Sequence, residues 1–167
     1  MKGLCLEVAD AAVALKAPGD MATGLACTQS VPRADYELAF ELMRTSGRNA
    51  AIVVFPVGHG QCSWAIGNFE RVCALDQVDG KGDTKKENPT YRLLDFPNDQ
   101  WFRFRLGVER GRIRGWRDDE EVLNIPTEGH TFTLWSGYDG ARPLGLVVAR
   151  FTAVKFRNIQ VRRVGQE

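Results

Sequence analysis

A chain of 167 residues with 44% apolar and 26% charged residues has the composition of an ordinary globule and the length to bury one sizeable core. Its 22 basic and 21 acidic residues leave a net charge of +1, so no global field draws it to nucleic acid or to an anionic membrane. No apolar run approaches the roughly 20 residues that span a bilayer, and Glu7 and Asp10 interrupt the opening segment, which lacks the apolar heart of a signal peptide. Localisation stays open.

The strand period recurs along the chain. Residues 35–43 alternate Tyr36, Leu38, Phe40 and Leu42 against Asp35, Glu37, Ala39 and Glu41, the pattern of a half-buried strand. Ala51–Val57 is a continuous apolar run, which predicts a buried central strand ended by Pro56. Gly58-His59-Gly60 lacks the Lys-Ser/Thr and the helix of a phosphate loop and reads as a hairpin turn. It leads into residues 61–66, where Cys62, Trp64 and Ile66 share one face; residues 71–75 form another short candidate. Residues 76–89 are polar and nearly free of apolar side chains. Unstructured loops beyond about a dozen residues are uncommon in compact domains. The simpler account of this one is a solvated connection between sheets, the sharper account a rim over a binding face.

The hairpin that follows carries the most information. In Trp101-Phe-Arg-Phe-Arg-Leu-Gly-Val, the residues Phe102, Phe104, Leu106 and Val108 point one way and Trp101, Arg103 and Arg105 the other. Arg110-Gly111 makes the turn, and pairing Glu109 with Arg112 sets Val108 opposite Ile113, Leu106 opposite Gly115 and Arg105 opposite Trp116. Arginines and tryptophans therefore line the outer face. An outward tryptophan leaves apolar area in water unless something covers it. Either a ligand does so, or the arginines shield Trp101 and Trp116 by stacking. Residues 121–125, 131–135, 144–151 and 154–164 complete the expected strands. No segment sustains helical apolar spacing with caps, so many short strands predict an all-β sandwich or barrel, and a two-sheet antiparallel sandwich is expected here.

Chemistry-bearing residues are sparse. Cys5, Cys27, Cys62 and Cys73 show no zinc spacing and read as free thiols, three of them inside apolar strand patterns, with one disulfide as the minor alternative. His59 and His130 lie in unrelated turns and offer no base for a nucleophile, so neither a metal nor a cofactor is expected. Glu37 and Glu41 sit four apart on a strand face, which separates their α-carbons by ~13 Å, whereas retaining glycoside chemistry needs carboxyl groups ~5 Å apart. Asp118-Asp-Glu-Glu121 reads as a solvated corner. Trp64 is expected in the core, and Trp135, before Ser136-Gly137, as a cap on a rim.

Asp35-Tyr-Glu-Leu-Ala-Phe-Glu, Trp101-Phe-Arg-Phe-Arg, Arg112-Ile-Arg-Gly-Trp-Arg-Asp-Asp-Glu-Glu-Val, Pro143-Leu-Gly-Leu and Val154-Lys-Phe-Arg-Asn-Ile-Gln-Val follow one another in that order. Their order and character resemble the bacterial 3-keto-disaccharide hydrolase domain family of the concanavalin A-like lectin and glucanase superfamily, over residues 23–164. The resemblance implies a jelly-roll-like sandwich, occupying the whole chain as one domain, with sugars handled on one sheet face. Residues 1–21 depart from it, lacking the usual opening Trp and Asp-Gly turn, and stand as a divergent edge or a cropped start. The superfamily's glucanase motif, Glu-x-Asp-x-x-Glu, is absent, and members also occur as non-catalytic accessory domains.

Flat rings against C–H faces, with forked donors and carboxylates for hydroxyls, recognise sugars. Glu41, Arg103, Arg105, Arg114 and Trp116 supply that set and are the expected carbohydrate-binding residues. Hydrolysis of a (keto-)glycoside is left open, with no catalytic residue assigned. The main alternative is a non-catalytic module whose arginine face docks on another domain of a longer protein. Nucleic acid is the weaker reading, despite the interleaved arginines and aromatics, because net charge is near zero and acids follow directly.

Overall fold

A computed structural model describes residues 4–8 and 11–165. The strands in chain order are β1 (Leu4–Val8), β2 (Val13–Ala17), β3 (Thr23–Ala26), β4 (Tyr36–Ser46), β5 (Ala51–Val57), β6 (Gly60–Asn68), β7 (Val72–Asp76), β8 (Arg92–Leu93), β9 (Phe102–Val108), β10 (Arg112–Arg117), β11 (Glu120–Pro126), β12 (Gly145–Val148) and β13 (Thr152–Arg163). They form a seven-stranded sheet in the order β1-β13-β4-β9-β10-β11, with β2 also on β13, and a six-stranded sheet, β3-β12-β5-β6-β7-β8. Every pairing is antiparallel, so the chain is an all-β sandwich as its periodicity predicts.

Alternation builds the core. Tyr36, Leu38, Phe40 and Leu42 of β4, Phe102, Phe104 and Leu106 of β9, and Cys62, Trp64 and Ile66 of β6 all turn into one cluster between the sheets. Phe104 stacks on Phe40 at 5.5 Å and meets Trp64 edge-on at 5.6 Å. Each large side chain so buried contributes on the order of 1.5–3 kcal/mol against exposure. Gly115 is required here, because a Cβ on it would lie 2.9 Å from the Trp64 ring and 3.0 Å from Leu123. Cys62 and Cys73 are buried free thiols, raised by burial (Cys73 to about 11), and Cys27 is free and half-buried; the side chain of Cys5 lies outside the described residues.

Arg44 breaks the polarity rule at one end of the sandwich. Its guanidinium is buried, and its donors reach the carbonyls of Gly67 (2.6 Å), Phe96 (2.6 Å), Asn49 (3.1 Å) and Glu70 (3.3 Å) and the side-chain oxygen of Asn98 (2.6 Å). Desolvation pulls its pKa down, and these acceptors are what hold a cation there. One side chain thus ties the ends of β4 and β6 to the segment before β9.

Several expected elements differ. Residues 131–135 form no strand: Phe132 makes one isolated bridge to Val78, and the chain runs on into a 3₁₀ helix, Ser136–Ala141, which no apolar spacing announced. The strand expected over 144–151 ends at Val148, because the chain turns at Phe151, whose φ is +54°. Residues 76–89 are not a loose solvated connection. Asn88, buried, donates to the carbonyls of Leu75 (2.7 Å) and Lys81 (3.0 Å) and accepts from Thr90, while Asp79 binds the Thr131 amide at 2.8 Å. The loop folds on its own polar groups. At the other end of the chain, β1 and β2 both lie along β13.

Candidate functional site

The hairpin register is the expected one: Val108 faces Ile113, Leu106 faces Gly115, and Arg105 faces Trp116. Outward residues of the seven-stranded sheet therefore line up across strands. Glu41 lies opposite Arg103, Ala39 opposite Arg105, and Glu37 opposite Gly107. All five predicted site residues share this face, but not all touch. Arg105, Arg114 and Trp116 form one cluster; Glu41 and Arg103 are cross-strand neighbours with separate partners.

Trp116 lies across the backbone of β9, where a Cβ on Gly107 would sit 3.5 Å from its ring. The Arg105 guanidinium stands 3.9 Å from the indole centroid and that of Arg114 4.8 Å. Each arginine is held in turn by a carboxylate: Arg105 by Glu37 at 3.2 Å, Arg114 by Glu121 at 2.5 and 3.0 Å. Asn124 completes Glu121 at 2.7 Å. A similar unit surrounds Glu41, which accepts from Arg157 at 3.1 Å and from Asn158, while Arg157 covers Trp101 at 3.9 Å. Arg103 reaches Asp119 at 3.2 Å, and its amide binds Asp118 at 2.9 Å. The arginines do stack over both outward tryptophans.

The electrostatics follow from these contacts. The Asn158 amide, and after it Arg157, hold the Glu41 carboxyl below the usual range; Arg114 and then Asn124 do the same for Glu121. Both stay ionised, so neither is suited to act as a general acid. The face offers stacking area, forked donors and fixed carboxylate acceptors. It is also no free basic track. Besides the four arginines just described, Arg110 binds Asp35 at 2.8 Å, Arg112 binds Asn124, and Arg117 binds the Asp95 carbonyl at 2.5 Å. Among the described residues no cluster of three or more histidine, cysteine or carboxylate side chains gathers as a metal would need.

Arg157 and Asn158 escaped the sequence reading, and Glu121 was read only as a solvated corner, because both pairings are bulged. Register slips between Arg157 and Gln160, and Asn158 takes a φ of +51°, so two neighbouring residues reach one carboxylate. A slip opposite Gly115 and Trp116 aims Glu121 at Arg114 and buries both Val122 and Leu123. The signal was there in Phe156 and Ile159, inward residues spaced three apart in a strand of period two. Trp64 is buried in the core and Trp135 is half exposed beyond the opposite sheet.

No family model matches the sequence, and no curated protein matches it. Solved structures do share the fold. The exoplasmic/lumenal domain of VIP36, in a Ca²⁺/Man₃GlcNAc-bound form, superposes with a TM-score of 0.58 at 12% identity over 100% of this chain and 86% of that one. The carbohydrate-binding module CBM66 from Bacillus subtilis gives 0.55 at 14% identity, covering 84% and 81%. A β-fructofuranosidase from Aspergillus kawachii, complexed with glycerol, gives 0.55 at 10% identity, but this chain spans only 28% of its length. At such identities the likeness shows the sandwich fold, one that carbohydrate-binding and glycoside-processing proteins also use.

Proposed function

We propose that the chain is a single carbohydrate-recognition domain that holds a glycan on the outer face of the seven-stranded sheet. Trp116, Arg105, Arg114, Arg103 and Glu41 are its ligand residues. The observation that carries this reading is the indole of Trp116, laid flat across β9 with two carboxylate-held guanidiniums on it. A pyranose C–H face replaces a guanidinium on the ring, and the displaced fork then donates to hydroxyls while Glu37 and Glu41 accept. Three supports come from outside the face: the resemblance to the 3-keto-disaccharide hydrolase domain family, the glycan-bound VIP36 domain and CBM66. The carboxylates held ionised here favour binding over cleavage at this face.

The test is a glycan-array screen followed by Trp116→Ala. Losing a stacking ring removes about 1–3 kcal/mol by analogy with base stacking, enough to abolish millimolar retention while the fold persists. Retention unchanged in the variant contradicts the assignment.

One observation favours a second reading, an accessory module that docks on a neighbouring domain. The ion pairs on the face are already complete, so a protein surface of matching charge pattern exchanges with them directly. Salt separates the two: charge-exchange docking weakens as ionic strength rises, whereas ring stacking on a neutral glycan hardly changes.

A further inference from the structure

The outer face of the six-stranded sheet carries a different kind of site. Ile52, Val54, Ala65 and Val147 form a small apolar layer with Ala141 of the 3₁₀ helix. Beside it lies a chamber of about 40 Å³ whose polar lining is Ser63, Asn68, Asp76, Asp83 and Tyr138. Asn68, Tyr138 and Ala149 also line a cleft of about 330 Å³ that opens past Phe69, Thr84 and Trp135, with Asp20 and Arg150 at its edge.

Three features of the chamber call for a ligand group. First, Ser63 is fully buried and its hydroxyl has no hydrogen-bond partner. It points outward from β6, in cross-strand register with Asp76 of β7. Second, Asp76 and Asp83 are held together without a cation. The Asp83 amide donates to Asp76 at 3.1 Å and Asn68 donates to Asp83 at 2.8 Å, yet among the described residues neither carboxyl has an ion-pair partner. Burial raises both, and Asp83 raises Asp76 further. Third, the mouth keeps aromatic rings in water. Trp135 and Phe69 are each about half exposed, at 50% and 51%. Phe69 holds its position with a φ of +45°, a backbone region that bulky residues rarely take. The indole of Trp135 lies on Gly137, where a Cβ would meet it at 2.0 Å, and meets Tyr138 edge-on at 4.9 Å.

Size and chemistry narrow the occupant. The chamber exceeds the roughly 10–15 Å³ that one water needs, and it is too small for a sugar ring. A hydroxyl and two carboxylates converge there as acceptors, which matches the three donors of an ammonium head, and the half-exposed rings at the mouth offer apolar area to a hydrocarbon stem. We propose that this chamber and cleft bind a primary ammonium ligand, with its –NH₃⁺ on Ser63, Asp76 and Asp83 and its hydrocarbon stem against Trp135 and Phe69. The site goes beyond the glycan face and stands or falls independently of it.

The probe is n-butylammonium chloride, titrated into the full chain while the indole N–H resonances are followed by NMR, with n-butanol and with sodium and calcium chloride as matched controls. The Trp135 signal is expected to shift and saturate with the amine, and not with the alcohol or the salts. Ser63→Ala and Asp83→Asn, each checked for fold by circular dichroism, are expected to weaken the response roughly tenfold. Ser63→Ala removes only a hydroxyl that has no partner, so it keeps the test alive if Asp83→Asn misfolds. An equal response to butanol, the same shift with either inorganic salt, no saturating shift with the amine, or unchanged affinity in the folded variants would each overturn the proposal.

Discussion

The two outer faces of this sandwich solve opposite problems. On the seven-stranded sheet, Arg105 with Glu37, Arg114 with Glu121 and Arg157 with Glu41 each pair charge with countercharge, and the guanidiniums roof the tryptophans. On the six-stranded sheet, Asp76 is buried and Asp83 half-buried, neither with an ion-pair partner among the described residues, the Ser63 hydroxyl has no hydrogen-bond partner, and Trp135 is left half exposed. Apart from the buried Nε of Arg157, the first face is satisfied in the free protein, and the proposed glycan enters it by exchange. The second is unsatisfied, and the proposed ammonium enters it by completion. Protein surfaces spend stability on the second arrangement and gain little from the first, where exposed pairs contribute about 0–1 kcal/mol each.

The largest effect concerns the frame that both faces share. Arg44→Ala leaves the buried carbonyls of Gly67 and Phe96, and the part-buried ones of Asn49 and Glu70, without this donor, and a loss of about 3–5 kcal/mol is expected in denaturant unfolding. Arg44→Lys recovers only part of it, since an ammonium has three donors and no fork. A loss under about 1 kcal/mol would show that solvent reaches these carbonyls.

The faces also differ in the sign of their pH dependence. Glu41 and Glu121 have lowered pKa values in the folded state, so the stability they add is present above the ordinary glutamate range and is lost as pH falls towards their folded values. Asp76 and Asp83 are raised, so between the ordinary aspartate range and their folded values the native state binds more protons than the unfolded one, and stability falls as pH rises. Asp83→Asn is therefore expected to raise the melting temperature at neutral pH, and Glu41→Gln to lower it slightly. Both differences should shrink on acidification, the first as Asp83 takes up its proton and the second as Glu41 does. A destabilised Asp83→Asn at neutral pH would mean that the charge is compensated.

The sandwich and the first face were legible because both rest on period-two alternation. Tyr36 to Leu42 and Phe102 to Val108 name their inward residues, and the two-residue turn at Arg110-Gly111 sets the register that brings Arg105 to Trp116. The second face was not, because its parts come from irregular backbone. Asp83 is placed by a loop built on Asn88, which donates to the main-chain carbonyls of Leu75 and Lys81, and on Thr90, which donates to the Asn88 side chain and accepts from the Leu75 amide, so these bonds run to backbone and to each other rather than to patterned side chains. Trp135 is placed by a short 3₁₀ helix and by the bare Gly137 beneath its ring. Trp135 could be flagged as a rim residue, but not what the rim encloses. Bulges hid Asn158 and Glu121 in the same way, since each shifts a side chain by one position from where alternation puts it.

A smaller effect bears on how Trp116 is held. Gly107→Val puts branched carbons where the indole now rests and should tilt it out of the Arg105–Arg114 stack, changing tryptophan fluorescence while leaving the melting temperature within about 1 kcal/mol equivalent. A large loss of stability would place that indole in the structural core instead.

The most direct measurement compares two outward indoles, arginine-covered Trp116 and half-exposed Trp135, as glycan platforms. Neutral glycans that retain the wild-type chain on an array are re-measured with Trp116→Ala and Trp135→Ala. Retention lost in Trp116→Ala and kept in Trp135→Ala is the predicted result; retention kept in the first and lost in the second would contradict it and move the sugar site to the opposite sheet.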